Sequence, residues 1–74
     1  MNSKIHIGKI IHSKLKEHNR SVSWLAKSID YDPSNLCKIL KQNYISTDML
    51  LRISNALNCD FFMYYSDYLN EDKQ

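Results

Sequence analysis

The segment formed by residues 21–41, SVSWLAKSIDYDPSNLCKILK, constrains the fold of this 74-residue chain more than any other. Apolar side chains recur there at three- and four-residue spacings on both sides of a break, at Leu25, Ile29, Leu36 and Ile39. The break is Asp32-Pro33, where Asp can cap a helix and Pro suits the first helical position. The segment therefore predicts two short helices, residues 22–29 and 33–41, joined by a tight turn. Such a helix-turn-helix can place its second helix in the major groove of DNA.

The rest of the chain predicts three more helices. Apolar residues recur at helical spacing in residues 5–18, in residues 47–57 after the capping residue Ser46, and in residues 61–69 after Asp60. A single Gly and a single Pro in 74 residues also favour helices over a turn-rich β fold. We therefore expect one all-α domain spanning residues 1–74, a compact bundle of five helices, with residues 70–74 as a disordered tail.

Polar residues occupy the junctions between these helices. Ser21 is expected to cap the second helix, and Asn19 and Asn58 can take the left-handed conformation that often ends a helix. Asp30 stands in the turn, where positive φ is often needed and where Asp is tolerated better than most residues.

The charge of the chain is unevenly distributed. The net charge is +2, but residues 1–41 hold eight Lys and Arg against three Asp and Glu, whereas residues 42–74 hold two against five. A basic half that contains a helix-turn-helix has the polarity expected of a surface that contacts phosphates. A solvated surface of mixed charge would explain the composition alone, so the charge supports the motif and does not replace it.

The sequence contains no constellation that catalysis or metal binding requires. His6, His12 and His18 are six residues apart, so successive rings point about 240° apart around a helix and cannot share a metal. There is neither a Gly-rich phosphate loop nor a nucleophile elbow, and the two cysteines are expected to be free thiols. We therefore expect no enzyme activity, cofactor, metal or small-molecule ligand. No apolar run approaches the ~20 residues that span a bilayer, so we expect a cytoplasmic protein without membrane contact.

Three stretches of the sequence resemble the phage-repressor (Cro/cI, XRE-type) helix-turn-helix family: IGKII near the start, then LAKSIDYDPSNLCKIL, then STDMLLRISNALNCD. The most specific part is the joint placement of Leu25, Ala26, Ile29, Tyr31, Leu36 and Ile39. The resemblance covers roughly residues 7–64. It implies a five-helix bundle of the lambda-repressor-like type and a sequence-specific transcriptional regulator, a repressor, that binds double-stranded DNA.

By position in the motif, the resemblance also implies which side chains contact DNA. The expected base contacts come from the helix 33–41, at Pro33, Ser34, Asn35 and Lys38. The expected contacts to the sugar-phosphate backbone come from Arg20, Lys27, Lys41, Asn43 and Tyr44. Lys38 is the best candidate for guanine O6 and N7, whereas Asn35 is suited either to adenine or to a phosphate. Asn43 and Tyr44 are equally compatible with an ordinary role in the loop.

The sequence departs from the family pattern at three places. Val22 stands where the family usually has a Gln that holds a DNA phosphate, and Asp30 replaces the Gly of the turn. The recognition helix opens with Asp-Pro-Ser-Asn instead of a run rich in Arg or Gln. These changes weaken the expected contacts with DNA and leave the fold intact.

The segment 61–69 is the candidate for contact with another protein chain. It holds five of the eight aromatic residues, and a helix this short can bury only one face on its own domain. The expected surface of a homodimer, or of a complex with a protein partner, comprises Phe62, Tyr65, Tyr68 and Leu69. A monomer in which all these residues cover the core remains an alternative. The alternative function is a non-catalytic protein-interaction module or antitoxin-like adaptor, with weak DNA binding.

Overall fold

Five α-helices follow one another along the chain in the computed structural model, which describes residues 5–72. They are α1 (Ile7–Glu17), α2 (Val22–Ser28), α3 (Pro33–Leu40), α4 (Thr47–Leu57) and α5 (Met63–Asp72). These described residues contain no strand. The predicted all-α fold is confirmed, and α2 and α3 form the expected helix-turn-helix.

Polar residues at the helix junctions take the roles that the sequence predicts. Each capping side chain accepts a hydrogen bond of 3.0 to 3.2 Å from the backbone N–H three residues later, at Ser21, Asp32 and Ser46. Each such cap typically contributes ~1 kcal/mol. Positive φ angles of 55°, 56° and 51° are found at Asn19, Asp30 and Asn58. Helix ends are therefore determined by local side-chain chemistry along most of the chain.

One hydrophobic core joins the first four helices to the residues that precede α5. Helix α3 packs on both α1 and α2, and α2 also packs on α4. The largest completely buried side chains are Ile7, Ile11, Leu15, Leu25, Leu36, Leu50, Ile53 and Phe61. Because α3 is held from two sides, its remaining face is turned toward solvent.

Helices α1 and α3 approach so closely that their backbones touch. A Cβ atom on Gly8 would overlap the carbonyl oxygen of Leu40 and lie 2.6 Å from its carbonyl carbon. The His6 ring reinforces this contact, because its Nε2 lies 3.2 Å from the carbonyl oxygen of Lys41. The Nδ1 atom of the same ring accepts a hydrogen bond from the Lys9 N–H at 3.2 Å and thereby caps α1. The first turn of α1 is thus fastened to the last turn of α3.

The last helix differs from its predicted bounds. It begins at Met63, because Asp60 Oδ1 accepts a hydrogen bond of 3.0 Å from the Phe62 N–H in a tight turn that precedes the helix. It continues to Asp72, so residues 70–72 are helical where the sequence predicted a disordered tail. Neither Gly nor Pro interrupts this stretch, which explains why the helix continues. Residues 73–74 of the predicted tail lie outside the described residues.

Replacing Gly8 with Ala tests the close approach of α1 and α3. At an ordinary helix position this change would stabilise the fold by up to ~1 kcal/mol, but here the new methyl group must displace the Leu40 carbonyl. We expect the free energy of unfolding in urea to fall by roughly 1–3 kcal/mol. Ser13→Ala, at an exposed position of the same helix, is the control and should not lower it. A Gly8→Ala variant as stable as the wild type would contradict the backbone contact.

Candidate nucleic-acid interface

Helix α3 has a buried face and an exposed face. Leu36 and Leu40 are buried on one side. The four residues predicted to contact bases are all exposed: Pro33, Ser34, Asn35 and Lys38. Ser34 and Lys38 lie four residues apart and Lys41 follows after three more, so these three residues share one edge of the helix. The exposed face is therefore polar, and it becomes basic toward its C-terminal end.

The turn between α2 and α3 fixes the direction of α3. Only two residues separate Ile29, the C-cap of α2, from Asp32, the N-cap of α3. Asp30 adopts its φ of 56° in this turn, and the Tyr31 N–H donates a hydrogen bond of 2.8 Å to the Ala26 carbonyl. The chain thus reverses within a turn that leaves little freedom between the two helices. The Asp30 side chain is exposed beside them.

The loop after α3 carries three of the predicted backbone-contacting residues. Lys41 is the C-cap of α3, and its side chain is exposed, as are those of Asn43 and Tyr44. The Tyr44 ring is 67% exposed, so it is available to a ligand. Gln42, which the sequence analysis did not single out, is exposed in the same loop.

The two other predicted backbone-contacting residues lie at opposite ends of α2. The Arg20 guanidinium carbon lies 4.7 Å from the centre of the half-buried Trp24 ring, a cation–π distance. Lys27 is exposed in the last turn of the helix. Val22, at the start of α2, is half-buried against the core and offers no donor to a phosphate. The side chain of Arg20 therefore has a defined partner, the ring of Trp24.

The exposed face of α3 also includes Cys37, which is not among the predicted contact residues. Cys37 is an exposed free thiol that lies three residues after Ser34 and four before Lys41.

The two ion pairs of the described residues lie on α1 and α4. Lys14 Nζ lies 3.4 Å from Glu17 Oε1, and Arg52 Nε lies 3.5 Å from Asp48 Oδ2. The Glu17 carboxylate, with smaller contributions from other neighbours, raises the pKa of Lys14. No described carboxylate lies within 4.0 Å of the lysine side chains around α3, those of Lys27, Lys38 and Lys41. The positive charge of these lysines is therefore available to an anionic ligand.

A second exposed surface lies on α5 and the turn before it. Phe61 is fully buried, and its ring stacks on that of Tyr64 with centroids 6.2 Å apart, which anchors the start of the helix. The predicted partner surface consists of three half-buried aromatic residues and one exposed leucine: Phe62, Tyr65, Tyr68 and Leu69. Burial raises the pKa of the Tyr65 hydroxyl. Two apolar residues that the sequence did not assign to this surface, Leu51 and Met63, are also about half exposed, at 52% and 45%.

Between residues 5 and 72, no three His, Cys, Asp or Glu side chains are grouped so that they could hold a metal ion. In the same part of the chain, every helix is too short or too polar to cross a bilayer.

Comparison with known proteins agrees with this geometry. A family model described as a Cro/C1-type HTH DNA-binding domain matches residues 11–61. The matched region contains α2, α3 and α4 in full. Neither the curated proteins nor the solved structures contain a significant match to the chain.

Replacing Asp30 tests the left-handed turn. Asp30→Ala should lower the free energy of unfolding by about 1 kcal/mol, because Ala lacks the local hydrogen bonding that makes positive φ tolerable for Asp. Asp30→Asn is the matched control, since Asn also tolerates this conformation, and it should change stability by less than ~0.5 kcal/mol. Thermal or urea unfolding measures both. Equal destabilisation by Ala and Asn would show that the carboxylate charge matters and the backbone conformation does not.

Proposed function

The chain belongs to the family of Cro/C1-type helix-turn-helix DNA-binding domains, and we propose that it is a sequence-specific transcriptional regulator, a repressor, that reads the major groove with α3. The observation that carries this proposal is the exposed polar face of α3, held against α1 and α2 by the buried Leu36 and Leu40. A repressor of this kind excludes other proteins from the DNA it occupies and needs no catalytic step. The role requires the protein to be in the compartment that holds the DNA, which we propose is the cytoplasm.

Four exposed side chains of α3 carry the proposed base readout. Lys38 is suited to donate to O6 and N7 of guanine, and the Asn35 amide is suited to the bidentate pairing that adenine offers. The Ser34 hydroxyl can donate or accept, so it discriminates little between bases. Pro33 has only van der Waals contact to offer, and a thymine methyl group is its natural partner. Sequence preference would therefore depend mainly on Lys38 and Asn35.

Five further residues are proposed to hold the sugar-phosphate backbone on both sides of the groove. Lys41, Asn43 and Tyr44 lie at the end of α3 and in the loop after it. Arg20 and Lys27 lie at the two ends of α2. Their exposure supports this proposal. The cation–π contact with Trp24 keeps the Arg20 guanidinium in one place, which lowers the entropic cost of a phosphate contact.

We further propose that two copies of the chain pair through α5. The proposed contact surface consists of Phe62, Tyr65, Tyr68 and Leu69. The proposal is supported by the partial exposure of these apolar side chains in the single domain. One recognition helix makes few base contacts, and a two-fold dimer doubles them by reading two half-sites about 34 Å apart.

Two departures from the family pattern favour a second candidate function. Val22 offers no donor where the family usually grips a phosphate, and Asp30 places a negative charge beside α3. A non-catalytic interaction module, such as an antitoxin-like adaptor that binds a protein through α5, would tolerate both. The basic half of the chain favours the DNA-binding proposal instead.

Neutralising Lys38 and Lys41 separately tests the proposed roles in DNA binding. The site would first be selected by the wild type from random duplex DNA, and affinities would be measured by fluorescence anisotropy. Lys38→Gln should cost about 1–3 kcal/mol on the selected site and relax the preference at one guanine. Lys41→Gln should weaken binding equally on selected and random DNA and reduce the slope of log K against log salt by about 1.

The control for both variants is Lys14→Gln, which removes a lysine that is paired with Glu17 on α1. It should leave preference and slope close to those of the wild type. If the wild type binds no duplex even at low salt, the DNA-binding proposal fails and the interaction module is favoured.

Replacing Leu69 with Gln tests the proposed dimer. The change places a polar group on the α5 surface and keeps a good helix former, so the fold should persist. We expect sedimentation to show a shift from dimer to monomer, with affinity lost for a two-half-site duplex and retained for a single half-site. Tyr44→Gln, at an exposed ring remote from α5 in sequence, is the control for self-association. A wild type that sediments as a monomer on DNA with two half-sites would refute pairing through α5.

A further inference from the structure

A basic depression of about 490 Å³ lies where the exposed face of α1 meets the end of α3. We call it the α1–α3 notch. Five nitrogen-bearing side chains line it: His6, Lys9, His12, Lys16 and Lys41. The buried Leu40 contributes an apolar wall, and no carboxylate is among the described lining residues.

Among the side chains that the structure describes, no carboxylate pairs with the lysines of the notch. None of its three lysines has a described carboxylate within 4.0 Å: Lys9, Lys16 and Lys41. The acidic residue of α1, Glu17, is paired with Lys14. The pKa of Lys14 is raised mainly by Glu17 and also by Tyr64 on α5. The acid–base pair of α1 therefore belongs to another side of the helix. Three unpaired lysines around one concave surface concentrate positive potential there.

Contacts between α1 and the end of α3 leave little conformational freedom in the notch. The Gly8 backbone lies against the Leu40 carbonyl, which fixes the distance between α1 and the end of α3. The His6 ring bridges the two helices: Nδ1 accepts from the Lys9 N–H and Nε2 donates to the Lys41 carbonyl, both at 3.2 Å. A neutral ring with its proton on Nε2 satisfies both contacts. The backbones that carry Lys9 and Lys41 are therefore positioned before any ligand arrives.

We infer that the α1–α3 notch holds phosphates of the DNA backbone beside the groove that α3 enters, with Lys9 and Lys16 each neutralising one. This inference rests on the proposed function. Its geometric basis is Lys41, which lines the notch and also continues the exposed edge of α3 formed by Ser34 and Lys38. Lys41 lies three residues beyond Lys38, a rise of about 4.5 Å along the helix, so a strand bordering the groove passes the notch. Lysines bind phosphate as point charges and need no bidentate geometry, which suits a wide, open depression.

The notch adds phosphate contacts from α1 to those proposed on α2 and in the loop after α3. It thereby compensates for the donor that Val22 lacks at the start of α2. The recognition helix would then be held to the backbone mainly from its C-terminal end, where Lys41 joins both surfaces.

The test compares two double variants that remove the same charge. Lys9→Gln with Lys16→Gln removes two of the three lysine charges of the notch, whereas Lys14→Gln with Arg52→Gln removes two positive charges from ion pairs elsewhere. We expect the notch variant to reduce the slope of log K against log salt by about 2. Its loss of affinity between about 50 and 200 mM salt should then be roughly tenfold smaller than that of the wild type. The control should keep the wild-type slope, and circular dichroism should show both variants folded.

Four outcomes would overturn the inference, each in a distinct way. If the wild type binds DNA and the notch variant keeps its slope, the notch is not a DNA contact, although the proposed function stands. An equal fall in slope in both double variants would mean that net charge alone is responsible. If inorganic phosphate shifts the NMR signals of His12 and Lys16 while the notch variant keeps the wild-type slope on DNA, the notch is a site for a free anion. Absence of any duplex binding by the wild type would overturn the proposed function and the inference together.

Discussion

The backbone contact between Gly8 and Leu40 determines how this protein presents the exposed face of α3. It brings α1 against the end of α3 without an intervening side chain, and the His6 bridge to Lys41 secures the same junction. Helix α3 is then held by α1 on one side and α2 on the other. An eight-residue helix has little stability of its own, so α3 depends on these contacts for its stability and direction.

The exposed face of α3 can be polar because the opposite face of the helix packs against the hydrophobic core. Leu36 is fully buried and Leu40 nearly so, while Ser34 and Lys38 remain in solvent. The strained position of the motif is Asp30, whose positive φ permits the short turn. The junction between α1 and the end of α3 fixes the direction of α3 and also forms the α1–α3 notch. The direction of α3 and the proposed phosphate contacts therefore depend on the same backbone contact.

The sequence predicted those structural features that depend on a few neighbouring residues. Helix caps and left-handed residues could be predicted because these roles follow from local hydrogen bonding. The caps are Ser21, Asp32 and Ser46, and the left-handed residues are Asn19, Asp30 and Asn58. The exposure of the predicted base-contacting residues followed from helical spacing.

Other features depend on contacts between distant parts of the chain, and spacing does not encode them. The second hydrogen bond of His6 joins residues 35 positions apart, and the notch consists of side chains from both ends of that span. The exposure of Leu51 and Met63 depends on which face α4 and α5 turn to the core. The bounds of α5 were missed because Asp60 can either cap a helix directly or form the tight turn seen here.

The central claim is that the exposed face of α3 enters the major groove, and methylation interference on a selected site tests it most directly. Guanine N7 lies in the major groove and adenine N3 in the minor groove, so methyl groups at the two atoms block different approaches. The account predicts that methylation at one or more guanine N7 atoms in each half-site abolishes binding, whereas methylation at adenine N3 there has little effect. Interference confined to adenine N3 would contradict major-groove readout by α3.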